Sequence, residues 1–414
     1  MNSRRRGALL ISLGASLTLT ACVSSGSSSS KSSGSSSSSS ASSGGSAAAG
    51  GSVTIGVVAA TTPKSGFMGP IDSPALNAMK IEADTLNASG GIGGQQVKLD
   101  IVDTNSTGSA YGPAATKVIA DGAKVVVVSC DYDTSLPAAQ VAQSKGLLNI
   151  APCVGDPIYG PAGGLPLGFS MGDGTPGEAS IMAEFSASKG WKKAVLLTDT
   201  TLKYTQNECT IFAKRFKELG GSVVQNYDYK QGDSVTETVS KIASGAKPDV
   251  VANCGYNPGG ATVAKQLRAG GVKAPVVSGF GMDGDFWTSQ IPGLSDYYIV
   301  TYAAKNGDDP NPAVNDMLKK LTAAGEAPAT GGFVTGPATL EAIKAGYDQA
   351  KSWDGAKLTA AFESFQDIPT LAGPTSFSKD LHINVKRPMR VLKVVNGKLV
   401  FVSQQAAKQV DNAS

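Results

Sequence analysis

Val53-Thr54-Ile55-Gly56-Val57-Val58 is a short β-branched run of the kind that forms a strand buried on both faces. Downstream, Ser73-Pro74 offers an N-cap with proline at the first helical position. Leu76, Met79, Ala83 and Leu86 keep helical spacing, and Gly90-Gly91 closes the helix. Val97, Leu99 and Ile101 alternate as a second strand. A short helix around Val118-Ile119, a strand over Val125–Val128, a helix from about Pro137 and a strand at Leu147-Leu148-Asn149-Ile150 continue the pattern. The order β-α-β-α-β-α-β predicts a parallel sheet with right-handed crossovers.

The same grammar restarts further on. Thr175-Pro176-Gly177-Glu178 reads as a capping box with proline inside it. Strands are expected over 194–198, 222–227, 250–254 and 275–278. Phe212, Phe216 and Leu219 mark a helix, and further helices fall near 234–244 and 259–269. A strand over 298–302 is followed by helices near 311–324, 334–352 and 355–365, which are expected to return onto the first unit. The final stretch, 389–401, alternates around Asn396-Gly397 and predicts a hairpin. The fold class read from this order is α/β, with two doubly wound parallel-sheet units.

The N-terminus has a different character. Arg4, Arg5 and Arg6 precede the apolar stretch Gly7–Ala21, whose fifteen residues suit a secretory signal and are too few to span a bilayer. Leu19-Thr20-Ala21-Cys22 resembles the bacterial lipobox, which implies a signal peptide over 1–21 and a lipid on Cys22. Residues 23–52 hold eighteen Ser and six Gly in thirty positions, a composition with almost nothing to bury. Residues 22–52 are therefore expected to be a tether. Of 36 Lys+Arg, these three arginines leave with the signal, so the remaining 33 balance the 33 Asp+Glu. No basic field remains for nucleic acid. One His in 414 residues excludes a multi-His metal site.

Three stretches carry a resemblance. They are Asn87-Ala88-Ser89-Gly90-Gly91-Ile92-Gly93-Gly94-Gln95-Gln96-Val97, Phe333-Val334-Thr335-Gly336-Pro337-Ala338-Thr339-Leu340-Glu341-Ala342, and Gly373-Pro374-Thr375-Ser376-Phe377-Ser378. In this order and behind a lipobox, the chain resembles the type I periplasmic solute-binding proteins of ABC importers, in the leucine/isoleucine/valine-binding family, over about residues 53–403. The resemblance implies two lobes joined by three hinge crossings. Lobe I is placed at 53–170 with 304–370, lobe II at 171–303 with 371–403, and a C-terminal tail at 404–414. It also implies a monomer, a small-molecule solute, no cofactor, and a partner permease with its ATPase. The protein would work outside the cytoplasm, attached to the membrane through its lipid alone.

Ligands of open parallel sheets sit beyond the carboxyl ends of the strands. The candidate loops of lobe I hold Thr61 and Thr62, then Asp131, Tyr132, Asp133, Thr134 and Ser135, then Cys153, Gly155 and Asp156. In lobe II the resemblance places the amine-binding carboxylate on Asp283 and the aromatic contacts on Tyr204 and Tyr256. The lobe I positions depart from the family's hydroxyl-rich pattern. Four acidic loop residues converging on one cleft would repel an α-carboxylate, which directs the reading toward an amine, an amide or a polyol.

Four cysteines remain beside Cys22, an even number for an oxidising compartment. Of three possible pairings, Cys130–Cys153 joins adjacent strand ends and Cys209–Cys254 lies within the other lobe; free buried thiols are the alternative. Gly279-Phe280-Gly281-Met282-Asp283-Gly284 fits a dinucleotide fingerprint, but it comes late in the chain and opens no long helix. There is no Walker A loop, G-x-S-x-G elbow or H-E-x-x-H site, and His382 is assigned a structural role. A binding protein rather than an enzyme is expected. A sensory binding module and a secreted hydrolase are the rival classes.

Overall fold

A computed structural model of the chain describes residues 50–410. The signal peptide, Cys22 and all but the last three residues of the tether lie outside them, as do the last four residues of the tail. Strand and helix alternate through β1 (Ser52–Ala59), α1 (Gly69–Ala88), β2 (Gln96–Asp103), α2 (Gly108–Ala120), β3 (Val125–Val128), α3 (Tyr132–Ser144), β4 (Leu148–Ala151) and β5 (Gly168–Asp173). The second series is α4 (Thr175–Ser188), β6 (Lys193–Asp199), α5 (Lys203–Glu218), β7 (Ser222–Tyr229), α6 (Thr236–Lys241), β8 (Val250–Cys254), α7 (Gly259–Ala269), β9 (Val276–Ser278), α8 (Asp285–Thr288) and β10 (Tyr297–Thr301). Helices α9 (Pro312–Ala323), α10 (Thr335–Ala350) and α11 (Gly355–Glu363) follow. The described chain ends with β11 (Ile383–Asn384), β12 (Met389–Val395) and β13 (Lys398–Gln405).

Two sheets result. The first, ordered β11-β5-β4-β3-β1-β2, is wholly parallel. The second, β13-β12-β10-β9-β8-β6-β7, is parallel except where β12 runs antiparallel to both β10 and β13. Burial on both faces explains the unbroken apolar strands. Val125 and Val127 of β3 join the core with Ile55, Val57, Phe333 and Ile343, while Val126 and Val128 join Val58, Val118 and Ala138 on the opposite face. In β6, Ala194 and Leu196 face Phe212 and Phe216, while Val195 and Leu197 face Val263 and Leu267. Each fully buried valine or leucine contributes about 1.5–3 kcal/mol relative to exposure.

The chain passes between the sheets three times: at Gly174, after β10, and between β11 and β12. The last passage lies later than the 370/371 boundary drawn from sequence. Residues 371–384 stay with the first lobe because β11 pairs with β5. Strand β5 likewise carries lobe I to Asp173 rather than 170, and β13 runs to Gln405, into the segment read as tail. Strands β5 and β11 were not foreseen. Helices α10 and α11 do return to lobe I, where α10 packs on α1.

Local signals were overruled at two helix starts. Helix α1 begins at Gly69, with Pro74 inside it, and the Ser73 hydroxyl donates to the Gly69 carbonyl instead of capping. Helix α4 is capped at Gly174 without a side-chain bond, and Glu178 turns away from the helix start. The Asn396-Gly397 turn has both residues at positive φ, as a two-residue hairpin loop requires. Among the described residues no helix is long and apolar enough to cross a membrane.

Candidate functional site

The carboxyl ends of the two sheets face each other and touch. Tyr256, after β8, donates its hydroxyl to Met68 Sδ at 3.3 Å. Asn207 on α5 donates to Asp156 Oδ2 at 3.2 Å, and the Lys203 amide donates to Asp133 Oδ2 at 3.2 Å. Between these contacts lies a cavity of about 20 Å³, room for about one water. Seven of the residues singled out from sequence line it: Asp131, Tyr132, Cys153, Gly155 and Asp156 from lobe I, Tyr204 and Tyr256 from lobe II. Cys130, at the start of the predicted loop after β3, also lines it; Ile71 and Phe280 complete the wall and were not foreseen.

The other candidates are placed elsewhere. Thr61 donates its hydroxyl to Asp103 Oδ2 at 2.8 Å, and the Thr62 hydroxyl is 2.9 Å from that of Ser65. The Thr134 amide closes the α3 cap on Asp131, and the buried Ser135 hydroxyl has no partner among the described residues. Asp283 does not line the cavity. Its Oδ2 accepts from the Thr301 hydroxyl (2.6 Å) and the Gly331 amide (2.7 Å), because the turn after β9 directs this carboxyl toward the end of β10. Asp283 is fully buried, and burial pushes its carboxyl up to about 6.

Both predicted sulfur pairs are joined, Cys130 to Cys153 and Cys209 to Cys254. Each bridge stays within one lobe, so neither locks the hinge. His382 places Nδ1 2.8 Å from the Gly168 carbonyl and stacks on Phe169, with ring centroids 3.8 Å apart.

Behind the cavity lies a layer of carboxylates. Asp72, in the first turn of α1, accepts from the Ala60 amide (3.0 Å), the Cys130 amide (2.9 Å) and the Ser129 hydroxyl (2.7 Å). Behind Tyr204, Glu178 accepts the Tyr204 hydroxyl at 3.0 Å and the Phe280 amide. The Tyr204 oxygen in turn accepts the Gly281 amide at 3.2 Å. Among the described residues, neither oxygen of the buried Glu208 has a hydrogen-bond partner of good geometry. A β-carbon on Gly279 would stand 2.3 Å from an oxygen of each glutamate, so only glycine admits the pair here. Burial holds Glu178 at about 7. Burial and the neighbouring Glu178 hold Glu208 well above the usual carboxylate range.

Sequence signals for this layer exist but compete with blander ones. Tyr204 and Glu208 are four apart on α5 and so share a face. Glu178 sits among twelve consecutive buried residues of α4, Thr175–Ser186, where a carboxylate needs a partner.

Two parallel-sheet lobes, three passages of chain and a cavity between opposed strand ends define a type I solute-binding protein. The chain belongs to the periplasmic binding protein family, whose profile matches residues 52–398. It is 28% identical over 331 residues to a Leu/Ile/Val-binding protein homolog 3 of Brucella melitensis, covering 79% of this chain and 87% of that one. It is 25% identical over the same length to the Leu/Ile/Val-binding protein BraC3 of Rhizobium johnstonii, covering 79% and 88%. In fold it is similar to the branched-chain amino acid transporter substrate binding protein LivJ of Streptococcus pneumoniae in complex with isoleucine. The TM-score there is 0.74 at 19% identity, with 86% of this chain and 99% of the other covered.

Proposed function

We propose that this protein is an extracytoplasmic lipoprotein that captures a small polar solute between its lobes and delivers it to an ABC permease driven by a partner ATPase. The solute is an amino acid, an amide or a related amine. The observation that carries this reading is the cavity at the opposed strand ends, where Tyr204 and Tyr256 meet Asp131 and Asp156. Contacts made only when the lobes meet favour the closed form, so a solute that adds such contacts shifts the equilibrium toward it. Family membership and the relatives' names support the transport role and the extracytoplasmic location. The sequence at Leu19–Cys22 supports the lipid anchor. No step of this function requires covalent chemistry, and the protein acts as a monomer. Reconstitution of the chain with permease and ATPase subunits in proteoliposomes tests it. Solute-dependent ATP hydrolysis that requires the chain is expected, and hydrolysis indifferent to it would refute the reading. Loss of fatty-acid labelling in Cys22→Ser is the matching test of the anchor.

A further inference from the structure

The amides that end the first-lobe strands would ordinarily be the place to hold a solute's carboxylate. Here the chain's own carboxylates already occupy them. Asp72 takes the Ala60 and Cys130 amides with the Ser129 hydroxyl, Asp131 takes the Thr134 amide, and Asp156 takes the Ile158 amide at 3.0 Å. Among the described residues, no lysine or arginine lines the cavity. Lys203 of lobe II lies over the Tyr132 ring with Nζ 5.5 Å from its centroid, and its charge acts on Asp156.

What the wall offers is negative charge and aromatic faces. Asp156 is met by Asn207 as well as Ile158. Asp131 is buried, and among the described residues the hydrogen bonds to its carboxylate come from Thr134 alone. Tyr132, Tyr204, Tyr256 and Phe280 line the same cavity. A carboxylate short of donors beside several ring faces attracts a cation by charge and by the ring quadrupoles together.

We propose that the solute taken between the lobes is a small organic cation carrying no carboxylate, its ammonium group held by Asp131 and enclosed by Tyr132, Tyr204 and Tyr256. This inference rests on the solute-binding reading above and narrows its substrate class from polar solutes to cations. Primary and quaternary ammonium groups share this chemistry, and the test separates them.

The test is calorimetric titration of the full chain with five probes: leucinamide, isopentylamine, tetramethylammonium, leucine and isovalerate. Leucine and its amide differ only at the carboxyl end, so their comparison isolates its charge. At least one cation is expected to bind, with leucine and isovalerate at least tenfold weaker. Binding of isopentylamine without tetramethylammonium would assign a primary amine, and the converse a quaternary one. Asp131→Asn is expected to weaken the cations about tenfold or more, because the amide keeps the α3 cap and removes only the charge. Leucine or isovalerate binding as tightly as the cations would overturn this inference and leave the solute-binding reading standing, as would undiminished cation binding in Asp131→Asn. Binding of none of the five would overturn both. The comparison in the unaltered chain holds even if the variant fails to fold.

Discussion

A β-carbon on Gly155 would stand 2.7 Å from Cδ2 and Cε2 of the Tyr204 ring. Gly155 follows β4 in lobe I and Tyr204 opens α5 in lobe II, so the lobes meet at a point that admits glycine and no larger residue. The ring cannot swing aside freely, because Glu178 and the Gly281 amide hold its hydroxyl.

Gly155→Ala is therefore expected to keep the lobes further apart. Small-angle X-ray scattering should show a larger radius of gyration than the unaltered chain. Overpacking of this kind costs about 1–3 kcal/mol, so affinity for the best-bound solute should fall about tenfold. An unchanged radius together with unchanged affinity would show that closure does not depend on this contact.

The buried acids give a pH dependence with a definite sign. Burial raises Glu178 from 4.5 to about 7, and Asp72 and Asp131 from 3.8 to about 6. Between the lower and upper values the folded chain holds protons that the unfolded chain has released. Stability of the free protein is thus greatest at the acid end of this window and falls as pH rises from about 4 to 7. Calorimetry at pH 5 and pH 8 should give the higher melting temperature at pH 5, and Glu178→Gln should narrow the difference. A melting temperature that rises toward pH 8, or an equal difference in the variant, would contradict this.

The second and third passages of chain between the lobes are tied together by Asp309 and Arg390. Arg390 Nε and a terminal guanidinium nitrogen donate to the two Asp309 oxygens at 3.0 and 2.9 Å, and both side chains are buried. Arg390→Ala leaves the Asp309 charge buried and unpaired, at a cost of about 3–5 kcal/mol. Urea unfolding is the measurement. A loss below about 1 kcal/mol would mean that water reaches the pair.

Much of the fold is legible along the chain because its causes are local. Val125–Val128 reads as a strand buried on both faces from its residue types alone, and Asn396-Gly397 reads as a hairpin turn because both positions tolerate positive φ. The loops that end in Asp131, Asp156, Tyr204 and Tyr256 follow from strand order, since parallel sheets place their loops at one end. Strand β11 escapes such reading: it is two residues long, and only its pairing with β5, more than two hundred residues earlier, makes it a strand.

The same division applies to the site. Sequence by itself determined the strand–helix alternation, the apolar faces and the loop tips, because steric preference and hydrophobic period act between neighbours. Tertiary structure alone decided which carboxylate meets which amide. Glu178 reads as a helix cap and instead binds the Phe280 amide 102 residues away; Asp72, just before the Ser73-Pro74 helix start read from sequence, carries no signal of its own and closes over Ala60 and Cys130. A buried charge goes to whichever donors the finished fold brings within reach, and those donors are set by packing at long range rather than by adjacent residues.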